Sequence, residues 1–166
     1  MKTTRNFLSP MTGKIMDIST VPDAVFSDRI MGDGFAVELD GKNIVAPVDG
    51  VVASVFPGGH AVCMVTDSNC QILIHIGLET HRMDDVYEIH VRDGQRVRAG
   101  ELLIRADYRR IRRNKNAAIS PVVFLGGEKI KLLKENQRVW AGENDIIEIV
   151  RAENIKGNTE GSGSTL

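Results

Sequence analysis

Cysteine is nearly missing from this 166-residue chain, and the two present, Cys63 and Cys70, form neither a zinc-type pair nor a disulfide framework. They read as reduced thiols. No sign of charge prevails: Lys+Arg is 21 against Asp+Glu 22, a formal net charge of −1. That balance argues against a polyanion, whether nucleic acid or anionic membrane, as the main partner. Aromatic residues make up only 5%. The basic run Arg105, Arg109, Arg110, Arg112, Arg113 and Lys115 therefore has no interleaved stacking rings apart from Tyr108, and reads as a solvated face. No apolar run approaches the roughly 18 residues needed to cross a bilayer, so no direct membrane insertion is expected. Met1 to Pro10 holds no apolar h-region of a secretory signal, which makes the cytoplasm the expected location. Helical periodicity is also scarce. The best helical stretch, around Tyr108 to Asn116, predicts one short surface helix.

What is present is a domain-sized chain, 42% hydrophobic and 26% charged, with a core to bury. Gly and Pro punctuate short apolar runs such as Gly34–Leu39, Gly50–Val55, Ala61–Val65, Gln71–Ile76, Val122–Phe124 and Ile146–Val150. Turn pairs lie between them: Asp40-Gly41, Asp49-Gly50, Pro57-Gly58-Gly59, Asp93-Gly94 and Gly126-Gly127. Closely spaced strands with turn chemistry between them predict an all-β sandwich or barrel with at most short surface helices. Residues 1–7 are expected to be a flexible N-terminus, 8–150 the domain, and 151–166 a Gly/Ser-containing flexible tail or linker remnant. Within the domain a seven-residue pattern, Gln-Arg-Val-X-Ala-Gly-Glu, occurs at Gln95 and again at Gln137. Each copy is a strand-turn-strand unit unable to bury its own face, so the repeat predicts a duplicated architecture.

Of four histidines, His75 is the informative one. In Ile72-Leu-Ile-His-Ile-Gly-Leu78, alternation puts Ile72, Ile74 and Ile76 on one face and leaves His75 with Leu73 and Gly77 on the other. Gly77 leaves room beside the imidazole. His60 follows Pro57-Gly58-Gly59 at the mouth of a turn. If Ala61–Val65 and Gln71–Ile76 pair through Thr66–Asn69, the two rings stand at comparable heights and face one another. Each could equally be a satisfied core or edge group. His81 and His90 lie in a polar segment and read as surface residues without a role.

Several motifs occur together in order: Leu8-Ser-Pro-Met-Thr-Gly13, Val21-Pro-Asp-Ala-Val-Phe26, Gly32-Asp-Gly34, Val45-Ala-Pro-Val-Asp-Gly50, Phe56-Pro-Gly-Gly-His-Ala61, Ile74-His-Ile-Gly-Leu-Glu-Thr80 and Ser120-Pro-Val-Val123. Together they resemble the glucose-type IIA component (EIIA) of the bacterial phosphoenolpyruvate-dependent sugar phosphotransferase system, from about Leu8 to Val150. The resemblance implies the duplicated hybrid-motif β-sandwich. It also implies a phosphocarrier whose His75 accepts a phosphoryl group from the phosphohistidine of HPr, as tele-phosphohistidine, and passes it to a cysteine of a IIB domain. His60 would stabilise the phosphoryl group. Asp33 and Glu79 match rim acids that favour a basic partner, and Val37, Val45 and Phe56 would form an apolar collar that excludes water.

Imidazole suits such a role. Its neutral form is nucleophilic near neutrality, and its N–P bond stays reactive enough to hand the group on. No cofactor or metal is implied. The chain departs from the family pattern at Gly58, where a hydroxyl residue is common, at Glu79, often Asp, and at Met83–Tyr87, in place of Gly-Glu-Gly-Phe. Two rival readings are a zinc metallopeptidase and a regulator that binds proteins according to its phosphorylation state. The first needs three ligands, typically with a His-X-His pair, and His75-Ile-Gly77 lacks the second His.

Overall fold

The strand runs predicted by alternation form antiparallel ladders in the computed structural model, which describes residues 2–151. In chain order the first strands are β1 (Lys2–Thr4), β2 (Gly13–Asp17), β3 (Gly34–Leu39), β4 (Asn43–Val45) and β5 (Gly50–Val55). Next come β6 (Ala61–Thr66), β7 (Gln71–His75), β8 (Tyr87–Ile89), β9 (Arg96–Val97) and β10 (Leu102–Ala106). The last are β11 (Ile119–Phe124), β12 (Lys129–Leu132), β13 (Arg138–Val139) and β14 (Ile147–Arg151). Helix is limited to two single turns, α1 (Ala24–Ser27) and α2 (Tyr108–Ile111), and three 3-10 turns. The second is the helix expected near Tyr108; the first was not anticipated. Four residues are too few to show a helical period, and Asp23 fixes that turn by accepting from the Val25 amide.

The duplication is explicit in the topology. One sheet has eight strands in the order β13-β2-β3-β11-β7-β6-β5-β9, and two three-stranded sheets run β4-β10-β8 and β1-β14-β12. The two copies of the repeat, β9 and β13, therefore close opposite edges of the large sheet, and each feeds the central strand of a small one. Hydrogen bonding repeats with them. The Gln95 and Gln137 carbonyls accept from Val52 and Ile15, and the Gly100 and Gly142 amides donate to Ala46 and Ser9 at 2.7 and 2.8 Å. Gly100 and Gly142 adopt φ 88 and 87, a left-handed turn open to glycine at both places.

The sheets enclose one main core. Ile72, Ile74 and Ile76 enter it, together with Ile15, Phe35, Val37 and Phe124. Leu73 points the other way, into a smaller cluster with Ile18, Val21, Phe26, Ala36, Ala61, Leu78 and Val123 on the outer face of the large sheet. The alternation read from the sequence is thus realised as two opposed apolar faces.

The N-terminus departs from expectation. Residues 1–7 were to be loose, yet Lys2–Thr4 pair with β14, and Phe7 is fully buried with its ring 5.2 Å from that of Phe124. A terminal strand has no local signal; β14 offers it a free edge and the core offers Phe7 a pocket. Arg151, assigned to the tail, belongs to that same ladder. The rest of the expected tail, 152–166, lies outside the described residues. Cys63 and Cys70 are both free, and burial pushes the Cys70 thiol up to about 12.

Candidate functional site

His75 closes β7 opposite Ala61 of β6, and the Ile76 amide donates to the His60 carbonyl at 2.7 Å. The hairpin therefore sets the two histidines at one height, as the turn Thr66–Asn69 predicted. Their ring centroids stand 5.5 Å apart, nearly edge to face. His75 Nδ1 lies 2.7 Å from the Gly77 carbonyl oxygen. A carbonyl can only accept, so Nδ1 carries the proton and Nε2 keeps its lone pair. The Gly77 loop is itself fixed: its amide donates to Ser120 Oγ at 2.9 Å, and that fully buried hydroxyl donates to the Ala118 carbonyl.

The imidazole is packed on one side by Phe26, centroid to centroid 5.3 Å. Burial, the largest influence, holds His75 below the usual histidine range; the Gly77 carbonyl opposes this, His60 and His81 reinforce it, and Asp23 opposes it. As pH falls below about 6.5, the unfolded chain takes up this proton before the folded one does. The resulting stability is complete above that pH and is lost as pH falls through the depressed folded value. The urea midpoint of the wild type is expected to drop more between about pH 7 and about pH 5 than that of His75→Asn, which has no such proton to bind.

His60 lies across the site, its Nδ1 3.2 Å from the Pro57 carbonyl and its ring 5.7 Å from that of Phe56. His81 also borders it, at 5.9 Å between centroids. Three imidazoles thus share one patch. Among the described residues, no group of three or more His, Cys, Asp or Glu is arranged to hold a metal ion.

Residues 5–130 match the family model for the phosphoenolpyruvate-dependent sugar phosphotransferase system, EIIA 1. The chain belongs to that family. It is 34% identical over 146 residues to a glucose-specific EIIA component from Oceanobacillus iheyensis, covering 86% of this chain and 88% of that protein. It is 42% identical over 132 residues to a glucose-specific EIICBA component from Streptococcus pneumoniae, covering 79% of this chain but 18% of that much longer protein. Among solved structures, glucose permease IIA from Mycoplasma capricolum superposes with a TM-score of 0.79 at 32% identity, covering 89% of this chain and 96% of the other. The duplicated β-sandwich is therefore that of an EIIA component.

The residues carried over from the EIIA resemblance separate in space. His75, His60 and Phe56 meet. Glu79 is exposed and takes the left-handed conformation (φ 57) immediately after the histidine box. Asp33 does not serve as a free rim acid. It accepts from Arg29 Nε at 3.0 Å, from the Gly34 amide at 2.9 Å and from the Ile130 amide at 2.8 Å, and its side chain is only 12% exposed. Its charge is spent on local structure. Val37 forms no collar either: it is fully buried in the main core, because its place in β3 turns it inward. Val45 is buried on β4 opposite Leu102, in a small sheet that does not contain the histidine strands.

Other residues take these places. Phe26, not Val37, covers His75, and Asp23, not Asp33, acts on it electrically. Both stand in the Val21–Phe26 motif, whose sequence alone carries no sign of chemistry. The departing segment Met83–Tyr87 supports the site from behind. Val86 is buried, and the Tyr87 hydroxyl donates to the Ile76 carbonyl at 2.7 Å. His90 stays outside, 2.6 Å from Glu88. Arg105, Arg109, Arg112, Arg113 and Lys115 are exposed, as a solvated face requires.

Proposed function

We propose that this chain is a phosphocarrier, accepting a phosphoryl group from phospho-HPr on His75 Nε2 and passing it to a IIB-domain cysteine for coupled sugar uptake and phosphorylation. The observation that carries this is the Nδ1–H to Gly77 carbonyl bond, which leaves Nε2 as the unprotonated nitrogen beside His60. In the transfer, the P–N bond to the HPr imidazole breaks as the P–Nε2 bond forms. The electron pair of the broken bond returns to the HPr ring nitrogen, so no proton needs to move at His75. Phosphoryl transfer asks mainly for positioning and charge stabilisation, and a part-buried imidazole held by a backbone carbonyl supplies the first.

His60, anchored through Nδ1 to Pro57, would donate from Nε2, as the imidazolium, to a phosphoryl oxygen. Partner docking would use exposed Glu79 and Asp23 against a basic face, with Phe56 and Val25 as exposed apolar contacts. The cytoplasmic side, where such donors and acceptors meet, is the place this role requires.

Incubation with phosphoenolpyruvate, enzyme I and HPr tests the reading. Stoichiometric, acid-labile, base-stable phosphate supports it, and an unlabelled protein refutes it. His60→Gln is expected to accept phosphate from HPr but to transfer it to a IIB domain about 100-fold more slowly, the usual loss when one preorganised donor is removed. A His60→Gln protein that folds but takes no label would show that the two roles are shared.

A further inference from the structure

His81 has no part in the transfer just described, yet it borders it. Its ring is 5.9 Å from that of His60, which is 5.5 Å from that of His75. The turn carrying it is pinned. Thr80 is buried and its hydroxyl donates to the Ile76 carbonyl at 2.7 Å, and the Met83 amide donates back to the Thr80 carbonyl at 3.0 Å. The left-handed Glu79 splits the side chains of this turn: Glu79 lines a cleft with Arg110, Arg113 and Asn114, while His81 meets His60.

Charge gives this placement a consequence. A phosphoryl group brings close to two negative charges near neutral pH. Among the described residues, the charges that act most on His75 come from His60, Asp23 and His81. Asp23 repels the group. Compensation therefore falls to imidazoles, and one imidazolium leaves about one charge unmatched.

We propose that His81 is a third member of the phosphoryl site, donating an N–H to an oxygen of the group on His75 beside His60, and that it makes retention of the group weaken as pH rises. This rests on His75 being the acceptor. The bonds made and broken are unchanged; His81 acts on the phosphorylated product and on the entering group. The ring beside it is that of His60, just ahead of β6, which in turn stands beside His75 at the end of β7; Asp23, ahead of α1, acts on His75, and Glu79 and Arg82 flank His81 along its own turn. Of these only the histidines change charge through neutrality.

The test is the equilibrium constant for phosphoryl exchange with HPr, measured near pH 6 and near pH 9 in the wild type, His81→Ala and His81→Lys. The donor's own titration cancels in ratios between variants. His81→Ala is expected to lower the constant about three- to ten-fold near pH 6 and by less than about two-fold near pH 9, the range between an exposed ion pair and a charged hydrogen bond. His81→Lys, a permanent cation, should hold the raised value at both. A wild type that labels normally but is matched by His81→Ala at both pH values overturns the role of His81 and leaves the phosphocarrier reading intact. His81→Lys falling as low as His81→Ala also overturns it. A wild type that takes no label overturns both.

Discussion

His75→Ala is expected to abolish phosphorylation by HPr, with labelling reduced at least about 1000-fold and no residual acid-labile phosphate. Removal of a nucleophile differs from removal of a supporting group because nothing else in the patch has its arrangement. His60 directs Nδ1 at Pro57 over a longer 3.2 Å contact and lies nearer the rim, and His81 is exposed. Only His75 combines a 2.7 Å bond to a backbone carbonyl, cover from Phe26 and a depressed basicity that keeps the ring neutral. The variant should stay folded, since His75 sits at the end of β7 and its loss leaves no buried charge. A circular dichroism spectrum like that of the wild type, together with absent label, is the expected pair of results. Full labelling of His75→Ala would move the acceptor to another residue.

The second large effect is expected at Gly77, through stability and activity together. Gly77 adopts φ 73, and a Cβ there would overlap the Ala117 carbonyl oxygen and Thr80 Cγ2. The Ala117 carbonyl cannot simply withdraw, because it accepts from the Leu78 amide at 3.0 Å. Gly77→Ala therefore combines left-handed strain with a clash against backbone, about 2–5 kcal/mol in all. Because the Gly77 carbonyl orients His75, labelling should slow as well, by roughly ten-fold or more. Gly58→Ala is the control. Its φ is 88, but a Cβ there meets nothing within 4 Å, so only strain of about 1–2 kcal/mol is expected. Urea unfolding of the two variants checks this; equal losses would show that backbone strain alone, and not the packing beneath His75, sets the cost.

Two features of the site were legible because they are local. Strict alternation in Ile72–Gly77 placed His75 on the face away from the core, and a four-residue turn between two apolar runs placed His60 opposite it. The repeat at Gln95 and Gln137 likewise told of duplication, since a motif that needs a partner face tends to provide one by copying itself. The family too is legible in the motifs, because each is a short contiguous run.

What the sequence could not decide was where segments distant along the chain come to rest. Asp33 and Asp23 both stand beside short apolar stretches, and only the tertiary structure shows the first half-buried and bonded to Arg29 and Ile130 and the second exposed and acting on His75. Val37 looked available for a collar until the pairing of β3 between β2 and β11 turned it inward. His81 lay in a polar run without period, and a single left-handed residue, Glu79, swings it onto His60. The period of a strand assigns a side chain to a face, because neighbouring Cβ atoms must alternate. It does not say what will cover that face; long-range packing settles that, and here it chose Phe26, Asp23 and His81 to surround His75 and His60.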